Sequence, residues 1–402
     1  MFNELKESFT KIDFFKSLSD FWSNISVSSV IMAIIVIFML VGLVDKIRGN
    51  KRGYGERFDA GFHAMGDLAL AVVGIIAMSP VLLLLLTPLV TPVYELIGAD
   101  PAMFPGSLLA LDMGGHAMST QIAQNPAIGK YAGIIVASMM GITLCFTIPY
   151  APTILKKEDH SIFGTGVLIG LITLPIGCIA GGLMMAVTST PIPFIDLIIN
   201  TLPVILLAAI ICVGLLWKQK LMVKIFSAFG KGVMFIATIG IGLAVFQYLT
   251  GIRIPLFYLM VEENEALGKI PLEFAFWLVG VIAVVLAGAF PMILFINRRL
   301  GKIMDKFGKK AGVNSEAGTG LLTQLANSIP VWSVIGDMDK RGKLLNVVFA
   351  VSGSFVLGDV LGFTGSVEPE MVFPVILAKF TGGICAILLA VILLKRNKLK
   401  LD

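Results

Sequence analysis

Apolar runs of about twenty residues recur along the entire chain, as in "SSVIMAIIVIFMLVGLV" and "PVILLAAIICVGLLW". Each is long enough to cross, as a helix, a hydrocarbon core about 30 Å thick. The runs are continuous rather than alternating, which excludes a closed β-barrel. With 57% of residues apolar and 14% charged, no segment remains for a soluble domain. The sequence therefore predicts an all-α polytopic membrane protein with about nine to eleven transmembrane helices. Nine spans stand out: 28–44, 61–86, 128–149, 162–187, 195–217, 225–249, 274–296, 343–364 and 371–394. Pro80 leaves a second division of the run 61–97 open.

Two shorter apolar stretches, 104–124 and 316–336, carry polar centres. Read as re-entrant hairpins, they sort the loops by charge. Lys46, Arg48, Lys51, Arg52 and Arg57 fall on one side, with Lys156, Lys157, Lys218, Lys220, Lys224, the cluster Arg298–Lys310, "DMDKRGK" and the C-terminal "KRNKLK". The other side receives "TSTPIPF", "VEENEALGK" and "SVEPE". The positive-inside rule then makes the basic side cytoplasmic, with the N-terminus outside and the C-terminus inside. The net charge of +5 reflects this loop asymmetry and gives no sign of nucleic-acid binding. Cys145, Cys178, Cys212 and Cys385 sit inside apolar runs without metal-ligand spacing, so neither a metal nor another cofactor is expected. Before the first span, Phe2, Leu5, Phe9, Ile12, Phe15, Leu18, Phe21 and Ile25 recur every three or four residues. That stripe fits a helix in the bilayer interface, or equally one packed on its own protein.

The two short stretches belong to an internal repeat. "GKYAGIIVASMMGITLCF" (129–146) aligns with "GKLLNVVFAVSGSFVLGD" (342–359), and "GSLLALDMGG" with "GLLTQLANSI". "IIAMSPVLL" further aligns with "VLAGAFPMIL", and "GCIAG" with "GGICA". The expected division is an amphipathic segment 1–27, a repeat 28–190 with hairpin 104–124, a linking helix 191–221, and a repeat 222–402 with hairpin 316–336. The charge-derived topology inverts the two repeats. Inverted repeats with broken helices meeting at mid-membrane are an architecture of secondary transporters.

A carboxylate deep in a membrane usually faces the protein interior or a water-filled cavity. Asp112 precedes Gly114 and Gly115, which allow the backbone to unwind and expose carbonyls beside the acid. In the second hairpin Gln324, Asn327 and Ser328 precede Pro330, and Asp359 lies between Gly358 and Gly362. These are the candidate substrate-binding residues: Asp112, Asn327, Asp359, Gln324, Gly114, Gly115 and Ser328. Asp67, Asn346, His116, Phe104 and Phe363 form a secondary set, the aromatics as cation–π partners alongside Phe146 and Trp332. The alternatives are ordinary: Asp67 facing water, Asn327 satisfying broken-helix amides, His116 as a hydrogen-bond partner, Arg341 and Lys343 as orientation charges. Ser138, Thr143 and Ser352 are neutral polar neighbours.

Longer stretches resemble the EutH family of ethanolamine permeases: "GFHAMGDLALAVVG", "PVYELIGADPAMFPGSLLALDMGG", "SMMGITLCFTIP", "GLITLPIGCIAGGL" and "MDKRGKLLNVVFAVSGSFVLGDVLGF". They cover roughly residues 58–390, and the segment before residue 27 departs from the family pattern. The resemblance implies an inner-membrane secondary transporter or facilitator that imports ethanolamine for catabolism, and not an enzyme. Ethanolamine is a small cation, so a carboxylate suits its ammonium and a side-chain amide its hydroxyl. A homo-oligomer in the lipid bilayer is compatible with this. Two other readings compete. One is a carrier of another small amine or amino alcohol such as choline. The other is an intramembrane aspartyl protease, disfavoured because Val356 replaces the expected glycine and no Tyr-Asp partner motif is present.

Overall fold

The computed structural model describes residues 13–396, and only the backbone of Phe14 and residues 300–311. Phe2, Leu5, Phe9, Ile12, the side chains of the basic cluster beyond Arg299 and the tail after Arg396 lie outside the described residues. Among the described residues fourteen helical elements, numbered in chain order, carry the fold. The first, α1 (Phe14–Ser23), is capped by Asp13, whose carboxylate accepts the Lys16 N–H at 3.0 Å. Its Leu18, Phe21 and Trp22 stand exposed.

Helix α2 (Val27–Ile47) starts with a reciprocal Ser26–Ser29 cap. Only 17% of its most apolar window is buried by protein, as expected of a helix bathed in lipid. The Asp45 carboxylate accepts the N–H groups of Arg52, Tyr54 and Gly55, which folds the following loop and starts α3 (Tyr54–Leu96). At 43 residues α3 is about 65 Å long. It continues through Pro80, Pro88 and Pro92, so Pro80 does not divide the run.

After α3 come two short pieces, α4 (Met103–Leu108) and α5 (His116–Ile122), then α6 (Pro126–Ile154) and α7 (His160–Met184). Helix α8 (Phe194–Thr250) has 57 residues, about 85 Å if straight and too long for one crossing. Lys218 leaves helical geometry (φ −143°, ψ 60°) and bends it into two limbs at the basic cluster. The second half repeats the order: α9 (Pro271–Ala311), short α10 (Ser315–Ala326) and α11 (Ile329–Val334), α12 (Lys340–Ser352), α13 (Asp359–Val367) and α14 (Val372–Lys395). Among the described residues, seven helices are long and apolar enough to cross a membrane. Adding the second limb of α8 and the pair α12–α13 gives each of the nine apolar runs a helical counterpart.

One span differs from expectation. Residues 343–364 do not form a single helix; they unwind over 353–358 between α12 and α13. Gly353 and Gly358 flank the break, and Phe355 adopts φ +63°. The freed amides are satisfied by the other broken pair: Phe355 N–H donates to Gln324 O and Leu357 N–H to Leu325 O, each at 2.8 Å. The aligned segment of α6 keeps its helical path by winding into π turns over Tyr131–Gly141 and Thr143–Thr147.

The most extensive contacts join α3 to α9 and α7 to α14. These are the partners that the sequence repeat equates. Helix α6 lies at the centre, with 94% of its most apolar window buried. Ion pairs mark both ends of α7, a helix of 25 residues and about 38 Å. Lys343 at the start of α12 binds Asp159, just before α7, at 2.6 Å. Lys130 near the start of α6 binds Glu368 at 2.9 Å and Glu370 at 2.7 Å, and Glu370 also accepts the N–H of Ser189, beyond the end of α7. Thus α6 and α14 start on one face, α7 and α12 on the other. Burial pushes the Glu368 carboxyl above the usual carboxylate range, against the pull of the Lys130 ammonium. Lys130→Met leaves Glu368 and Glu370 facing each other without a cation. We expect it to destabilise the protein by about 1–2 kcal/mol, between the ranges for exposed and buried pairs. A thermal midpoint in detergent equal to wild type would refute that.

Candidate functional site

Both broken regions deliver an acid to the same place. Between α4 and α5 the chain is extended at Leu109 and Ala110, then winds through one irregular turn, Leu111–Gly115. Gly114 has φ +92°, a conformation that a side chain would strain. The Ala110 carbonyl accepts the N–H groups of both Met113 and Gly115, which fixes the turn that carries Asp112. On the other side, Asp359 is the first residue of α13, immediately after the unwound segment. A carboxylate there meets the positive end of the helix dipole.

Asp112 and Asp359 line one cavity of about 650 Å³. They act on each other electrostatically, and among the described residues neither has an ion-pair partner. Paired acids without a counter-ion in an apolar surrounding call for a cation, because a lone buried charge is costly. The rest of the wall is mostly apolar. Phe146 stacks on Tyr150 with centroids 4.8 Å apart, and Phe355 meets Phe146 edge-on at 5.5 Å. Asp67 of α3 and Lys231 of α8, both exposed, also line the cavity, with Ser227 and Thr153. Thr153 ends α6 near Asp159, and Ser227 and Lys231 follow the basic bend of α8. The cavity therefore opens toward the basic face.

The other residues singled out in the sequence lie elsewhere. Asn327 is extended (φ −158°, ψ 131°), and its side-chain oxygen accepts the Ile329 N–H at 2.8 Å, capping α11. From this second break only Ile329 lines the cavity. Gln324 is buried and donates to the Asn346 side chain at 2.8 Å, while Asn346 donates to Ala317 O and Gly342 O. That network clamps α10 against α12. Ser328 is buried with its hydroxyl unpartnered. Gly114 and Gly115 shape the first break, and Gly114 lies against Ile75. His116 is buried edge-on to Phe363, centroids 5.6 Å apart, with both ring nitrogens lacking a protein partner. Phe104 meets Tyr94 at 6.3 Å, and Trp332 meets Phe163 at 6.0 Å. Ser138 bonds Ile135 O, Thr143 links α6 to Val351 O on α12, and the Ser352 hydroxyl is buried without a partner. Of the neutral polar set, none reaches the cavity.

Sequence reasoning missed Tyr150, Phe355 and Lys231 as wall residues, and Lys379 as a buried charge. "SGSFVLGD" signals the break that turns Phe355 inward through its two glycines. Nothing local signals the other three.

Phe355→Ala enlarges the cavity beside the acids and removes the edge contact to Phe146. We expect half-saturation for a small ammonium substrate to weaken by about tenfold, in line with one lost cation–π partner in a desolvated site. Unchanged half-saturation would remove Phe355 from the site.

Comparison with known sequences adds an independent line. The family described as ethanolamine utilisation protein, EutH, matches residues 27–393. A probable ethanolamine permease EutH of Listeria monocytogenes is 46% identical over 379 residues, covering 93% of this chain and 97% of the relative. An uncharacterised Bacillus subtilis protein, YxeR, is 41% identical, with 90% and 93% covered. The probable ethanolamine permease EutH of Escherichia coli K12 is 38% identical, with 92% and 96% covered. No solved structure matches.

Proposed function

The chain belongs to the EutH ethanolamine utilisation family, and from that premise we propose that it imports ethanolamine across the cytoplasmic membrane. The observation that carries the proposal is that Asp112 and Asp359 line one cavity and that neither has an ion-pair partner among the described residues. The ammonium of ethanolamine takes the place of the missing cation between them. Tyr150 and Ser227 bring hydroxyl groups to the same wall and are the proposed partners of its hydroxyl. The amide of Asn327 is not assigned this role, since it caps its own hairpin.

We infer an inverted repeat in which the short pairs α4–α5 and α10–α11 enter from opposite faces and return. Support comes from the starts of equivalent helices on opposite faces, and from both ion pairs, each of which joins segments that loop charge assigns to one side. In this orientation the N-terminus is outside, the C-terminus is cytoplasmic and the cavity opens to the cytoplasm. Helix α1, with Leu18, Phe21 and Trp22 exposed, lies in the interface.

The direct test is counterflow: purified protein in liposomes preloaded with unlabelled ethanolamine should concentrate labelled ethanolamine transiently. Liposomes with protein that behave like empty ones would overturn the reading. Unlabelled choline competing more strongly than ethanolamine would reassign the substrate within the same site.

A further inference from the structure

Among the described residues, Lys379 is the only buried lysine or arginine, and it is 1% exposed. It lies on α14, well inside a helix apolar enough to span the bilayer. Its Nζ donates to the backbone oxygen of Ser138 at 2.7 Å. Among the described residues no carboxylate lies within 4.0 Å of it. An ammonium brings three N–H donors and a full charge, and here one carbonyl receives it. Isolated charge in such a place is costly unless it is compensated. Lysine is the basic side chain that readily changes protonation when buried. The charge on Lys379 therefore depends on how closely its neighbours exclude water.

Its one partner matters because of where Ser138 stands. Ser138 belongs to the π-wound stretch Tyr131–Gly141 of α6. Three residues later Gly141 rests directly on the Leu109 carbonyl, at the extended start of the break that holds Asp112. Two close contacts, Lys379 to Ser138 and Gly141 to Leu109, thus join α14 to one stretch of α6 and that stretch to the segment leading into Asp112. No role in binding the substrate is available to Lys379, which does not line the cavity.

The titratable groups around it are few. Helix α7 contributes the buried thiol of Cys178. The π-wound stretch contributes Tyr131, bonded to Thr201 at 2.7 Å. Helix α13 contributes Asp359 in the cavity. Glu370, next to α14, is paired with Lys130, and Lys343 of α12 with Asp159, at opposite faces. Asp45 of α2 holds loop amides, and its neighbour Lys46 pairs with Asp59. His160, Lys340 and Arg341 stand at the ends of α7 and α12.

We propose that Lys379 is a positioning residue of the carrier, whose protonation state sets how firmly the π-wound stretch, and with it the Asp112 turn, is held. The proposal rests on the reading of the cavity as the ammonium site. The test is ethanolamine counterflow between about pH 6 and 8, where the substrate remains almost wholly cationic, with wild type, Lys379→Met and Lys379→Arg. The wild-type rate should change by about threefold or more across this range. Both variants should vary less with pH than wild type, one being fixed without charge and the other with it, while the acids of the cavity stay unchanged. A wild-type pH profile retained by Lys379→Met, or a flat wild-type profile, overturns the proposal.

Hydrogen exchange of wild-type residues 131–145 over the same pH steps, corrected for intrinsic exchange, needs neither a folded variant nor a substrate. Protection that changes with pH in this stretch, and not in α9, supports the proposal; unchanged protection overturns it. If wild type carries no ethanolamine at any pH, the transport reading fails and hydrogen exchange alone decides on Lys379.

Discussion

Asp112→Asn and Asp359→Asn should each lower ethanolamine uptake into proteoliposomes by about a hundredfold, at protein levels and elution profiles equal to wild type. The figure corresponds to about 2.7 kcal/mol, within the range for a charge-assisted contact whose charged half is removed. Asparagine keeps the shape of the side chain and one accepting oxygen, so the Asp112 turn and the start of α13 stay built. What disappears is the charge that an ammonium needs. The double variant should fall little further than either single one if, as proposed, both acids hold the same cation. If both single variants take up ethanolamine normally, the pair is structural and the site lies elsewhere. Stability gives a second readout. Without ethanolamine, each variant should be at least as stable as wild type, since it removes a carboxylate that has no counter-ion.

Gly141→Ala should have an effect as large, for a different reason. A Cβ at residue 141 would stand 1.9 Å from the Leu109 carbonyl oxygen, and backbone cannot rotate away as a side chain can. The other half holds a comparable contact at Gly358, where a Cβ would stand 2.0 Å from the Ala326 carbonyl oxygen. Each substitution forces a broken segment off the helix it rests on. We expect about 3 kcal/mol or more of destabilisation, read as loss of monodisperse protein or a much lower thermal midpoint. Gly232→Ala, on α8 with nothing within 4 Å of the added carbon, is the matched control and should behave as wild type. Gly141→Ala with wild-type stability and uptake would show that the Leu109 contact does not hold the break in place.

These two effects separate what the chain's patterning encodes from what its folding assembles. Span number and type, the bend near Lys218 and the interruption at Asp112 follow from local composition. Twenty apolar residues have no other stable form in lipid than a helix, since every backbone group must bond within it. A pair of glycines after an acid weakens that helix wherever it occurs. The resemblance to a permease family is likewise a property of the linear text, and the matched relatives agree with it.

The second break was harder to read. Residues 343–364 are apolar enough to span, and Gly353 and Gly358 permit unwinding without requiring it. The helix opens because the Gln324 and Leu325 carbonyls lie beside it to accept the Phe355 and Leu357 amides. That exchange of hydrogen bonds exists only once α10 has packed. Asn327 shows the reverse. Its type and position suit a ligand, yet the nearest unpaired amide is that of Ile329, and a short-range cap forms instead.

Sequence alone, then, determined that this is a helical membrane protein of the EutH family, with acids placed at weakened points of its helices. Hydropathy, glycine and charge act over a few residues and leave their mark on the text. Only the tertiary structure decided that Asp112 and Asp359, 247 positions apart in the numbering, share a cavity. The same holds for Tyr150 and Phe355 on one wall, and for Lys379 buried against a π-wound helix. Those relations depend on which helix faces cross. Crossing is fixed by the packing of α3 on α9 and α7 on α14, to which no single segment holds the key.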